Sequence, residues 1–323
     1  MLSRHKSAHI LGAVWAGLAV CGCQGGKDAG HCTLAHVTDL KLERRGNGFF
    51  TTIAINGHSA ELLFDTGSAD NLLLETTARR LGLSVVRYNT GSVEGIGGTR
   101  DVGQVHAREV RLGDARGEDL GFLTTPENAG DADGILGMNF LFQFDLDLDF
   151  WGQRIGLYKG LGGCNSPAAA MTGSLYAVDL APEPSNAQYG SPEQRSPLNL
   201  SPAVYVTING VRLRAVIDTG ASHTTIFRDS ARRAGLGEGD VLERTNLHGV
   251  GRRVVKAEMR VSAPVMIGEL TVQNMPVLVA DQRHPKDADM LLGYDFVTRV
   301  HVWVSRSSGT VIMQYPPHST ATE

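Results

Sequence analysis

Hydrophobic and polar positions alternate along this chain in two matching series. Phe49 to Ile55 reads as a strand, Asn56-Gly57 as a two-residue hairpin turn, and His58 to Phe64 as the returning strand. The series recurs as Ala203 to Ile208, Asn209-Gly210 and Val211 to Ile217. Each hairpin leads through a polar loop to an apolar run, Leu72 to Leu74 or Thr224 to Phe227. A short helical stretch follows, closed by Gly82 or Gly235, the residue type suited to a left-handed cap. Glycine-rich hairpins come next, Gly91 to Gly98 and Leu247 to Gly251, and alternating strands then lead to Ile135-Leu136-Gly137 and Leu291-Leu292-Gly293. Strand pairs ending in Ile155-Gly156-Leu157-Tyr158 and Ile312-Met313-Gln314-Tyr315 close the two series. Asp145, Asp147 and Asp149 alternate with Leu146 and Leu148, which predicts a strand with one solvated acidic face rather than a metal site.

The polar loop after each hairpin contains the same tripeptide, Asp65-Thr66-Gly67 and Asp218-Thr219-Gly220, at an offset of 153 residues. At that offset Asn56-Gly57 also falls on Asn209-Gly210, Ala78-Arg79-Arg80 on Ala231-Arg232-Arg233, and Gly82-Leu83 on Gly235-Leu236. Beyond this stretch the offset drifts, so that Gly95-Ile96-Gly97 pairs with Gly249-Val250-Gly251 and Asp133 with Asp289. The chain is therefore an internal duplication of roughly 110 to 120 residues per copy. The expected division is a leader at 1–23, a Gly- and charge-rich tether at 24–46, a first lobe at 47–164, a Pro- and Ser-rich linker at 165–200, a second lobe at 201–317 and a tail at 318–323. Within the linker, Ser174 to Leu180 has the makings of an added strand at the lobe boundary.

Composition narrows the classes. Length (323 residues) suits two domains, and 39 glycines with 42% apolar residues suit a β-rich globular chain. A formal charge of −4 gives no basic surface for nucleic acid. The 11 histidines are scattered along the chain, and neither metal nor cofactor is expected. At the amino terminus Arg4 and Lys6 precede an apolar stretch from Ala8 to Val20, the layout of an export signal and too short to span a bilayer comfortably. Cys21 and Cys23 follow it, and either could be the lipidated cysteine of a bacterial lipoprotein, the alternative being plain export. The expected location is the periplasm, tethered to the membrane by lipid alone or else secreted. Export permits disulfides, and Cys32 and Cys164 flank the first copy, either bridged or as two unrelated thiols.

Phe64-Asp65-Thr66-Gly67-Ser68-Ala69-Asp70-Asn71-Leu72-Leu73, with Gly95-Ile96-Gly97-Gly98, resembles the aspartic peptidases of the retropepsin and pepsin clan. The likeness covers residues 48–158 and 202–315, and each copy is retropepsin-sized. It implies an all-β fold of two retropepsin-like β-barrel lobes, each with a short helix, pairing within one chain as a monomeric pseudo-dimer, the alternative being pairing between chains as an intertwined dimer. It also implies that Asp65 and Asp218 are the catalytic carboxylates and that Thr66 and Thr219 bond across the lobe boundary. Gly67 and Gly220 would then let the backbones approach, with Ser68 and Ala221 beside the carboxylates. Gly95, Ile96, Gly97 and Gly98 would form one flap, and His248, Gly249, Val250 and Gly251 the other. The chain departs from the family pattern in having no flap tyrosine, in Ala69-Asp70 and Ser222-His223, and in Met138 and Tyr294 where viral enzymes carry arginine.

Two neighbouring carboxylates cannot both ionise easily, so one proton is shared; the aspartic-protease dyad is the standard instance of this. The ionised member can deprotonate a water while the other donates to a scissile carbonyl. Ser68, unlike Ala221, could donate its hydroxyl to its own carboxylate, making Asp65 the more ionised member. The implied substrate is a peptide or protein. A catalytically weak peptide-binding or scaffold protein on the same fold is the alternative, although a binder has no need of paired carboxylates.

Overall fold

A computed structural model describes residues 33–87, 92–126, 131–161, 171, 173–182, 201–236, 241–282 and 288–315. The leader with Cys21 and Cys23, the Cys32 and Cys164 pair, Gly91, most of the linker and the 318–323 tail lie outside the described residues.

In the first lobe, strands Gly48–Ile55 and His58–Phe64 form the expected hairpin. Its turn places Asn56 at φ 50° and Gly57 at φ 83°, the conformation in which a two-residue turn follows the natural strand twist. Strand Gly134–Leu136 inserts between His58–Phe64, to which it runs parallel, and Leu72–Leu74, to which it is antiparallel. Ala115–Thr125 and Gly103–Leu112 continue the sheet, and Gly103–Leu112 returns to pair with Gly48–Ile55, closing a barrel. The second lobe repeats the plan with Ala203–Ile208, Val211–Ile217, Met290–Leu292, Thr225–Phe227 and Pro276–Ala280 in a 9-stranded sheet. Helices Glu75–Arg80 and Arg228–Arg233 occupy matching places. They are pinned alike: Asp133 accepts the Glu61 amide at 3.0 Å and pairs with Arg80 at 2.6 Å, while Asp289 accepts the Arg214 amide at 2.8 Å and pairs with Arg233.

Both lobes supply strands to one further sheet. Its order is Thr33–Lys41, Arg154–Leu161, Asp145–Asp149, His301–Ser305, Thr310–Gln314, Leu175–Asp179. The apolar face of this sheet merges with both lobe interiors, so Leu146, Leu148, Val302 and Val304 share one core with Leu62 and Ile217. Phe49 of the first lobe stacks at 5.2 Å on Tyr294 of the second, joining the lobes again.

Two expectations are corrected. Residues 33–45, read as part of a tether, form an edge strand and a short strand, Glu43–Arg45, with Leu40 and Leu42 buried in the main core. A register shift between His36 and Thr38 breaks the period-two pattern and hides this strand from the sequence. Nor do Asp145 and Asp147 face solvent: they are 3% and 0% exposed. Their strand is central in the sheet, and the fully buried Trp303 of the neighbouring strand stands directly opposite Asp147 in register. Partners arrive from distant sequence instead. His301 Nε2 lies 2.5 Å from Asp147 Oδ1, and Arg154 donates to Asp147 Oδ2 at 2.8 Å. Against the opposing effect of burial, the hydrogen bonds of His301 and Arg154 and the charge beside them hold Asp147 below the usual carboxylate range. Asp145 accepts the Arg306 amide at 2.8 Å and the Ser307 hydroxyl at 2.8 Å.

Removing a buried ion's partner costs far more than removing a surface charge. Asp147→Ala is therefore expected to destabilise the fold by about 3–5 kcal/mol. Asp149→Ala, whose contact with Arg154 spans 3.9 Å, should cost only about 1 kcal/mol. Denaturant midpoints check the pair, and equal small losses would restore the solvated-face reading.

Candidate active site

The two Asp-Thr-Gly loops meet at the boundary between the lobes. Each follows the last residue of a buried strand, Phe64 or Ile217, and is tied to its own lobe by a strand-like bond: Asp65 N donates to Leu136 O at 3.0 Å and Asp218 N to Leu292 O at 2.9 Å. Thr66 and Thr219, both fully buried, reach across. Thr66 N donates to Thr219 Oγ1 at 3.0 Å and Thr219 N to Thr66 Oγ1 at 3.1 Å. The Thr66 hydroxyl donates to Ile217 O at 2.6 Å and the Thr219 hydroxyl to Phe64 O at 2.8 Å. Each hydroxyl thus has one acceptor and one donor in the other lobe.

This clasp brings the carboxyls together. Gly67 lies against the Asp218 carboxyl and Gly220 against the Asp65 carboxyl, so closely that a Cβ at either glycine would collide with it. Asp65 Oδ1 accepts the amides of Gly67 at 2.8 Å and Ser68 at 3.1 Å, while Asp218 Oδ1 accepts those of Gly220 and Ala221, both at 3.0 Å. Each carboxyl therefore lies against the other's loop, close enough for the two to interact electrostatically. Burial, and then the negative charge of Asp65, push Asp218 well above the usual carboxylate range, so it retains a proton. Both residues keep partial exposure.

Ser68 does not act as expected. Its hydroxyl donates to the Asp70 carbonyl at 2.8 Å, not to Asp65, because the turn after the tripeptide aims the side chain back along its own backbone. Its amide serves Asp65 as the Ala221 amide serves Asp218, so the inequality of the carboxyls does not arise from the hydroxyl.

A supporting layer went unread in the sequence. Asn71 donates to Asn139 and accepts the Gly137 amide at 2.8 Å, fastening the Asp65 loop to the strand–helix junction beneath it. In the second lobe the Thr224 hydroxyl donates to Asp295 at 2.6 Å and accepts the Gly293 amide at 3.1 Å. Asn71 and Thr224 are six residues beyond the two aspartates, at the offset of 153, a signal that repeat alignment carries even though the residue types differ.

The flaps meet as well. Ser92–Gly95 and Gly98–Asp101 form a two-stranded ribbon with Ile96-Gly97 at its turn, Gly97 at φ 84°. Opposite it, strands Glu243–Leu247 and Val255–Val261 carry the longer loop 248–254. Gly251 N donates to Ile96 O at 2.8 Å and Arg253 N to Gly97 O at 3.0 Å. A Cβ at Gly251 would overlap the Gly97 backbone, so glycine is required there for the tips to interleave. Ile96 packs against an apolar cluster in the second lobe that includes Val216, Phe227 and Leu291, with Ala221 beside it. Val250 contacts Gly95 in return, whereas His248 is exposed. Among the described residues no group of histidine, cysteine, aspartate or glutamate could hold a metal ion. Paired carboxyls sharing one proton in a partly exposed site can give a proton and take another in one step.

A family model for aspartyl proteases matches the chain twice, over residues 51–140 and 204–296. No curated protein matches it.

A carboxyl with a raised native pKa binds its proton more tightly in the folded than in the unfolded chain. Stability therefore falls as pH rises from about 3.9, the ordinary aspartate value, toward the raised one. Asp218→Asn removes this penalty. The variant should melt at least about 2 °C above wild type at pH 7, with the gap vanishing below about pH 4. Calorimetry at the two pH values checks the sign.

Proposed function

The chain belongs to the aspartyl protease family, and from that membership we propose that it is an aspartic endopeptidase whose two lobes supply one carboxyl each. The observation that carries the reading is the Asp65–Asp218 pair, brought together by two copies of one loop that the threonines clasp and the glycines let approach. In the resting enzyme Asp65 is the base and Asp218 the acid. A water between them loses a proton to Asp65 and adds to the peptide carbonyl, while Asp218 donates to the carbonyl oxygen. The tetrahedral intermediate collapses as the proton passes to the leaving nitrogen, with no covalent enzyme intermediate. Roles exchange between the two residues over a cycle, because titration belongs to the pair.

Substrate lies in the cleft between the lobes, beneath the joined flaps, which hold it and exclude water. Pairing of the lobes by the threonine clasp supports a monomeric pseudo-dimer. The basic start and apolar stretch of residues 4–20 support export to the periplasm, with lipidation at Cys21 or Cys23 as the tether.

A peptide library incubated with wild type, Asp65→Asn and Asp218→Asn between pH 3 and 8, a window set by about the carboxylate pKa range, tests the proposal. Each substitution should lower kcat/KM at least about a thousandfold. Equal cleavage by wild type and either variant removes the dyad, and no cleavage by wild type favours a peptide-binding protein on the same fold.

The pH profile has its own expectation. Activity should be bell-shaped and reach into weakly acidic pH, falling in acid as the pair takes up a second proton and in alkali as it loses the one on Asp218. A maximum below about pH 3 would contradict the high Asp218 value.

A further inference from the structure

The joined flap tips are gripped from a third side. Gln282 follows strand Pro276–Ala280 of the second lobe and lies half-buried against the first flap. Its Oε1 accepts the Gly97 amide at 3.0 Å, and its Nε2 donates to the Gly95 carbonyl at 3.2 Å. A carboxamide carries an acceptor and a donor side by side, as a peptide group does. Gln282 therefore pairs with the flap backbone as one residue of an added strand would. Ile96 O and Gly97 O are already taken by the Gly251 and Arg253 amides. All four of these backbone groups at the turn are thus satisfied by the second lobe.

The first flap is the one that needs such a hold. Flap strands Glu243–Leu247 and Val255–Val261 continue into the 9-stranded sheet through Pro276–Ala280. Among the described residues Ser92–Gly95 and Gly98–Asp101 pair only with each other, and an isolated two-stranded ribbon is at best marginally stable in water. Arg228 fixes the base of the latch by donating to Asp281 at 2.7 Å. A cavity of about 400 Å³ lined by Glu94, Gly98, Arg228, Arg253 and Asp281 adjoins Gln282, giving its side chain room to swing clear without disturbing the core.

We infer that Gln282 is a positioning residue for peptide hydrolysis: its carboxamide latches the first flap over the cleft and acts on substrate only through that flap. The inference rests on the peptidase reading. Release of the latch lets the flap lift to admit a peptide, and re-engagement holds the flap closed through the chemical step.

The test compares the full chain with Gln282→Ala and Gln282→Glu by amide hydrogen exchange and by peptide kinetics. In Gln282→Ala the Gly97 amide loses its acceptor. Exchange across residues 92–101 should rise about tenfold over wild type while strands Ala203–Ile208 and Val211–Ile217 stay unchanged. On a cleaved peptide, kcat should fall about tenfold with KM within about twofold, since the closed fraction of the complex drops while encounter does not.

Gln282→Glu supplies the signature that a merely structural role would not give. A protonated carboxyl donates and accepts as the amide does, whereas a carboxylate opposes the Gly95 carbonyl. The variant should match wild type below about pH 4 and fall between wild type and Gln282→Ala above about pH 6, where the carboxylate keeps the Gly97 acceptor but loses the donor to Gly95. Unchanged flap exchange in Gln282→Ala, faster exchange equally in both lobes, or a Glu-to-wild-type ratio flat with pH each overturns the latch. A wild-type chain that cleaves nothing overturns the peptidase reading and the catalytic half of this inference, while exchange still decides whether the latch exists.

Discussion

Thr66 and Thr219 bind two loops that cannot be satisfied separately. Both hydroxyls are buried without access to water, and each finds its acceptor and its donor only on the opposite loop. A buried hydroxyl or amide left unpaired costs about 1–3 kcal/mol. Separation of the loops would strand four such groups together, so the loops adopt one relative position. The approach of Gly67 to the Asp218 carboxyl, and of Gly220 to that of Asp65, follows from that position. So does the shared proton, because like charges are forced together only where something else fixes the distance.

Duplication supplies symmetry, and the site depends on departures from it. The inner supports are Asn71–Asn139 on one side and Thr224–Asp295 on the other, chemically different pairs that hold equivalent loops. Tyr294 of the second lobe stacks on Phe49 of the first, whereas Met138 in the matching place is buried within its own lobe. The flaps are less alike still, one a narrow ribbon and the other an extension of a wide sheet. The ribbon inserts Ile96 into the apolar cluster of the second lobe, so one lobe roofs part of the other.

Local and repeated features were legible in the sequence. The Asn-Gly turns at 56–57 and 209–210 dictate hairpins through their backbone preference, and the repeat offset places Asp65 and Asp218 in equivalent loops before any coordinates exist. What the sequence concealed was non-local. Asp145 and Asp147 alternate with leucine as they would on a solvated face, and nothing nearby announces that His301, Ser305 and Ser307 arrive from the other lobe to neutralise them. The strand at Thr33–Lys41 was masked by its bulge. Ser68 was read from its capacity to donate, whereas the local turn gave that hydrogen to the Asp70 carbonyl. Gln282 carried no pattern at all, since its role depends on where the flap comes to rest.

The sheet shared between the lobes bears on how the protein is made. Strand Asp145–Asp149 needs His301–Ser305 on its second edge, and that partner is translated more than 150 residues later. Until then the nascent first lobe presents an open strand edge whose aspartates lack His301 and the Ser305 and Ser307 hydroxyls, a surface prone to mispairing. Such long-range pairing makes folding slow. It also fixes when the site can exist: Asp218, Thr219 and the closing strands all come from the later half of the chain, so the pairing of Asp65 with Asp218 waits for that half to be made.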